Sequence, residues 1–153
     1  MSDTTQSFSS DAEIERIGGG LLDRTLPGAE WTHAAHWAAA VWLIVRRSDL
    51  HAPRDMPGLI RAYNASLGNS NTDTAGYHET ITQASLRAAR HYVALAASDA
   101  TLVEICHRVL ASELGGPDWL QHYWSKPRLF SVEARRAWVE PDVAPLPYPR
   151  YPV

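Results

Sequence analysis

The sequence predicts an all-α fold: a single-domain bundle of about five helices, followed by a short C-terminal helix and an extended proline-rich tail. Three observations carry that expectation. Apolar residues recur at spacings of three and four through five segments. No segment alternates with the two-residue period of a half-buried strand, and proline or glycine punctuates most joins. A chain of 153 residues matches one ordinary domain, with residues 1–10 a flexible N-terminus, 11–140 the bundle and 141–153 the tail.

The first helix is expected over about Asp11 to Arg24, N-capped by Ser10, with Ile14, Ile17, Leu21 and Leu22 on one face. Gly18-Gly19-Gly20 weakens it by about 1 kcal/mol per glycine against alanine and marks either a break or a close helix contact. The second helix, about Ala29 to Arg47, is apolar nearly all round between His36 and Arg46, which suits the middle of a bundle. Gly58 to Leu67 reads as the third helix, stopped by Gly68. A fourth begins near Ala75 or Gly76 and continues to about Ala97, its inward face carrying Tyr77, Ile81, Ala84, Ala88, Tyr92 and Leu95. Ser98-Asp99 caps the fifth, which ends at Gly115-Gly116-Pro117, and a short helix is placed over Ser131 to Val139 in an aromatic-rich last quarter.

From Pro141 to Val153 five prolines forbid a helix, so this tail should be extended and lie over its own bundle or a neighbouring subunit. Pro145-Leu146-Pro147-Tyr148-Pro149 also resembles a ligand for a proline-binding domain. Six tryptophans and the tail together make a homodimer an open expectation.

Composition excludes several function classes. A net charge of -3 with scattered arginines gives no electrostatic footprint for nucleic acid. The longest uncharged apolar stretch, Trp37 to Val45, is far shorter than the roughly 20 residues that span a bilayer. A polar N-terminus without a secretory pattern and a lone Cys106, read as core packing, lead to the expectation of a cytoplasmic protein.

The chemistry concentrates in two segments, Glu30-Trp31-Thr32-His33-Ala34-Ala35-His36 and Gly76-Tyr77-His78-Glu79-Thr80. On one continuous helix Glu30, His33 and His36 would share a face, and a Glu-x-x-His step is one way for a helical bundle to offer an ion an oxygen and a nitrogen. His78 is the natural donor from the fourth helix. Amide dipoles at helix starts disfavour imidazolium, so His33 and His78 should stay neutral, the form that binds metal or accepts a proton. Glu79 is the candidate third ligand, imidazole anchor or general base, with Tyr77 and Thr80 lining the site.

Two functions follow. The leading expectation is a small metal-dependent enzyme acting on a small molecule, with Zn, Fe or Mn held by His33, His78 and one of His36, Glu30 or Glu79. The alternative is a metal-free ligand-binding or interaction module in which His33, His78 and Glu79 form a buried hydrogen-bond network. Acids in first helical turns often only complement the dipole, and a histidine on an apolar helix is more often a core residue than a ligand. The remaining histidines, His51, His91, His107 and His122, read as surface or packing residues. The Asn69 to Thr74 loop lacks the glycine and terminal glutamate of an EF-hand.

From about Leu26 to Pro147 the chain resembles a group of short bacterial all-helical proteins of uncharacterised activity. The likeness rests on Trp31 to His36, Arg61 to Asn64, Tyr77 to Thr82 and Leu129 to Arg135, and it implies a shared helical fold. A looser similarity is to the DinB-like bundles, which hold a metal with three histidines from different helices, commonly through a late His-x-x-x-His pair. The pair here is early and spaced His33-x-x-His36.

Overall fold

The computed structural model describes residues 8–152, among which there are seven α-helices and no strand. The N-terminal expectation lies outside the described residues as far as residue 7. Phe8, by contrast, is buried and its carbonyl accepts a hydrogen bond from His107 Nε2 at 3.1 Å.

Helix α1 (Asp11–Leu22) starts where Ser10 accepts the Glu13 amide. It runs unbroken through the glycine triplet. A Cβ on Gly18 would lie 2.3 Å from the Trp42 ring, so the glycine lets α1 close on α2 (His33–Arg46), and the triplet is a contact rather than a break. Alanine-rich α2 buries Ala34, Ala35, Trp37, Ala38, Ala39, Ala40, Val41 and Leu43, and packs against α1, α4 and α5. That is the central position its all-round apolarity foretold.

Helix α3 (Ala52–Ser66) begins six residues before the expected Gly58. Pro53 sits in the first turn, where a missing N–H costs nothing. Pro57 lies inside the helix and cannot donate to the Pro53 carbonyl; Gln83 Nε2 donates to that oxygen instead, at 3.0 Å. A side chain from α4 thus takes up the carbonyl that a proline inside the helix leaves without its usual donor.

Helix α4 (Glu79–Leu95) starts after His78, later than expected, and buries Ala84, Leu86, Ala88 and Ala89, whereas Leu95 is exposed. Helix α5 (Leu102–Ala111) is capped by Thr101 in a capping box with Glu104, not by Ser98-Asp99. Cys106 in α5 is fully buried and its thiol is pushed up to about 12 by burial, which suits core packing and not a nucleophile. Two 3₁₀ turns (Glu113–Gly115 and Trp119–His122) lead to α6 (Lys126–Leu129) and α7 (Val132–Arg136), so the short helix expected over Ser131 to Val139 is briefer and capped by Ser131.

The last quarter folds back over the bundle. Trp124 is wholly buried, meets Trp138 edge to face at 5.5 Å and donates to the Val139 carbonyl. Asp142 accepts from both the amide and the hydroxyl of Ser125. The tail lies along this chain's own helices: Tyr148 is buried against His91, Tyr92 and Trp119, and Tyr151 meets His51 and Arg90. Among the described residues no helix is long and apolar enough to cross a membrane.

Candidate functional site

Between α2, α3, α4 and the C-terminal quarter lies a cavity of ≈ 320 Å³, in the size range of small-molecule sites. Its walls are mostly apolar. Trp31, Trp37 and Ala40 come from or just before α2, Met56 and Ile60 from α3, Ile81, Ser85 and Leu86 from α4, and Trp119, Leu129 and Phe130 from the C-terminal quarter. Polar groups enter at His33, His36, Thr82, Ser85, Asp118 and Gln121. An outer groove of ≈ 590 Å³ adjoins it and shares Trp31, His36, Ile60, Ile81 and Thr82 as common wall. Asn64, Asn69, Ser70 and His78 line the groove alone.

The start of α2 explains where its imidazoles stand. Gly28–Glu30 form a 3₁₀ turn, Trp31 leaves helical geometry, and Thr32 caps α2 by accepting the Ala35 amide at 3.2 Å. The expected continuous helix from Ala29 is therefore interrupted, and Glu30 does not share a helix with His33. Glu30 pairs with Arg16 at 2.8 Å and lines neither chamber.

His33 Nε2 lies 2.9 Å from the Leu114 carbonyl oxygen, which also accepts the Trp37 indole N–H at 3.0 Å. The indole is a donor only, so the tautomer that satisfies every atom has His33 Nε2–H and Trp37 Nε1–H filling both lone pairs of Leu114. In the neutral ring this leaves His33 Nδ1 as an acceptor. The 3.3 Å approach of Trp37 Nε1 to His33 Nε2 is then a secondary contact.

His36 shows the complementary arrangement. Its Nδ1–H donates to the Thr32 carbonyl at 2.6 Å, and the ring stacks on Trp31 with centroids 3.8 Å apart. The acceptor left over is Nε2, on the opposite edge of the ring. His36 is exposed, although protein packs close around part of the ring, as its stack on Trp31 shows. That desolvation holds its pKa below the ordinary 6.5, helped by nearby His33 and opposed by the Thr32 carbonyl. In the neutral ring Nε2 can accept a hydrogen bond.

His78 is spent on the fold. It precedes α4 as its N-cap, and Nδ1 accepts the Ile81 amide at 3.2 Å. The proton then sits on Nε2, which donates to the Leu129 carbonyl at 2.7 Å. Burial is the main cause that lowers its pKa, with Arg135 adding and Glu79 opposing. Its neighbours in the motif are also occupied. Tyr77 OH donates to Glu79 Oε1 at 2.6 Å, Gln83 donates to the other oxygen of Glu79, and Arg61 lies over the Tyr77 ring. Burial and the Glu79 carboxylate raise the Tyr77 pKa well above its usual range. Thr80 is wholly buried; it donates to the Ala137 carbonyl and accepts the Val139 amide, pinning the C-terminal segment to α4.

The three histidines of the two motifs thus face the chambers, His33 the inner, His78 the outer and His36 both, whereas Glu30, Tyr77, Glu79 and Thr80 line neither. His33, His78 and Glu79 are each bonded to different partners and do not form one network. Both nitrogens of His78 are engaged and Glu30 is neutralised by Arg16. No group of three or more His, Cys, Asp or Glu among the described residues is placed to hold an ion.

Sequence reasoning missed most of the cavity wall, above all Met56, Ser85, Trp119 and Phe130. The spacing of Ile81, Thr82 and Ser85 on α4 was the one signal that could have found part of it. No family model matches the chain, and neither curated proteins nor solved structures give a match.

Proposed function

We propose that this protein binds a small, largely apolar molecule in the inner cavity without a metal, using His33 Nδ1 and His36 Nε2 as acceptors for a ligand N–H or O–H. The observation that carries this reading is the pair of imidazoles whose bonds to Leu114 and Thr32 each leave one nitrogen to spare at an apolar chamber of ≈ 320 Å³. Binding sites of this kind combine apolar walls with a few placed polar groups. His78, Tyr77, Glu79 and Thr80 act in this account as braces for α4 and the C-terminal wall.

Fluorescence titration with N-phenyl-1-naphthylamine, an uncharged apolar probe with one N–H, tests it. Saturable one-to-one binding that is lost in Ala40→Phe, which fills the chamber, supports the reading. Probe affinity unchanged by Ala40→Phe would overturn it. Metal analysis of protein purified without a histidine tag separates the metal-dependent enzyme expected from the sequence: tight Zn, Fe or Mn binding that His33→Ala with His78→Ala removes would put that function in its place.

A further inference from the structure

We propose that the inner cavity and the outer groove form one two-part site for an uncharged molecule, an apolar ring system joined to a hydroxyl- or amide-bearing portion, with the Trp31–His36 stack at the junction. This rests on the reading of the inner cavity as a ligand site and adds the ligand class.

The two chambers lie side by side and share Trp31, His36 and Thr82 among their lining residues. They differ in chemistry. The inner one is walled by tryptophan, methionine and aliphatic side chains, which suits a flat apolar body. The outer one adds Asn64, Asn69 and Ser70. Asn64 Nδ2 donates to Asn71 Oδ1 at 3.0 Å, which leaves the side-chain Oδ1 of Asn64 as an acceptor.

The groove wall is built and held, not a chance hollow. Asn71 Oδ1 also accepts the Tyr77 amide, and Asn71 Nδ2 donates to the Arg61 carbonyl. Gly76 has φ +83°, and a Cβ there would stand 2.5 Å from the Ser70 carbonyl oxygen, so only glycine lets the two sides of the loop approach this closely.

Charge narrows the ligand further. Among the described residues that line either chamber there is no arginine or lysine, and the one acid, Asp118, is exposed. An anion would lose hydration without gaining a counter-charge. His36 lines both chambers, and with Nδ1 bonded to the Thr32 carbonyl its Nε2 is the nitrogen left to accept from a group that links the two parts.

Calorimetric titration at neutral pH with 2-naphthol, 2-naphthyl β-D-glucoside and 2-naphthyl phosphate tests the proposal on the full chain. The glucoside should bind about tenfold more tightly than 2-naphthol through added hydrogen bonds, and the phosphate more weakly than either. Asn64→Leu should erase the advantage of the glucoside and leave 2-naphthol unchanged. His36→Phe, which keeps an aromatic ring against Trp31, should weaken both by about tenfold. Circular dichroism and thermal melts confirm that each variant is folded. Equal affinity for 2-naphthol and its glucoside overturns the two-part site while leaving the inner cavity as a ligand site. A phosphate that binds best overturns the uncharged ligand, and failure of all three to bind overturns the cavity reading with it.

Discussion

His36 and His78 sit at the starts of two neighbouring helices, in motifs of the same look, yet the chain uses them in opposite ways. His36 commits one nitrogen to Thr32, keeps the other uncommitted and lines both chambers. His78 commits both, one to the Ile81 amide and one to the Leu129 carbonyl. The difference teaches that a histidine's role here follows from how many of its lone pairs and protons the fold consumes. Neither its residue type nor its place in a motif decides it. His33 falls on the side of His36, and Glu79, held by Tyr77 and Gln83, falls on the side of His78.

The sharpest way to break the comparison is His78→Ala. It removes the α4 cap and leaves a buried carbonyl unpaired, so unfolding in urea should show a loss of about 2–4 kcal/mol. His78→Asn restores a cap but cannot reach Leu129, and should recover about 1 kcal/mol of that. A loss under about 0.5 kcal/mol for the alanine variant would erase the distinction between the two histidines.

The pH dependence is the next largest effect. The folded pKa of His78 lies below the unfolded 6.5, so below 6.5 the unfolded chain takes up a proton that the folded one refuses. Stability from this group is complete above 6.5 and is lost as pH falls through the folded value. Arg135, which adds to the lowering, and Glu79, which opposes it, are the charged neighbours that act on His78. Urea midpoints measured between about pH 7.5 and 5.5 should fall less steeply for His78→Asn than for the natural chain.

A third test concerns the wall behind the cavity. Tyr148 OH donates to Glu113 Oε2 at 2.6 Å, and its ring meets Trp119, which lines the chamber. Glu113 also accepts from Tyr123 and His122, and these bonds outweigh its burial to hold the carboxyl below the usual range. Tyr148→Phe should cost about 1 kcal/mol in urea unfolding and weaken N-phenyl-1-naphthylamine binding by loosening Trp119.

His36→Phe is the counterpart of the first test: its stability should change by no more than about 0.5 kcal/mol while affinity for 2-naphthol falls. Smallest of all is Glu30→Gln. The Arg16–Glu30 pair is solvent-exposed, with side chains 55% and 42% accessible, so stability should shift by less than about 0.5 kcal/mol and probe binding not at all. A marked loss of binding in Glu30→Gln would return Glu30 to the site.

Much of the bundle was legible because burying an amphipathic face needs a periodic pattern, and α1, α2 and α5 carry it plainly. The starts were harder to read. Thr32 stops α2 short of Glu30, and α3 extends back past Pro57, with Gln83, distant in sequence, donating to the Pro53 carbonyl that Pro57 cannot serve. The histidines that face the chambers were legible as candidates. Their partners were not, since Leu114 and Leu129 contribute backbone carbonyls, which leave no mark in side-chain identity.

By itself the sequence determined the helical class, the centrality of α2, the extended form of a tail that proline bars from helix, and the short list of imidazoles that could do chemistry. Those depend on local periodicity, capping and proline geometry, which are properties of neighbouring residues. Only the tertiary structure decided which imidazole nitrogens remain available and which chambers they face. Hydrogen-bond capacity is consumed by groups brought together from far along the chain, and a cavity is the space their packing leaves unfilled.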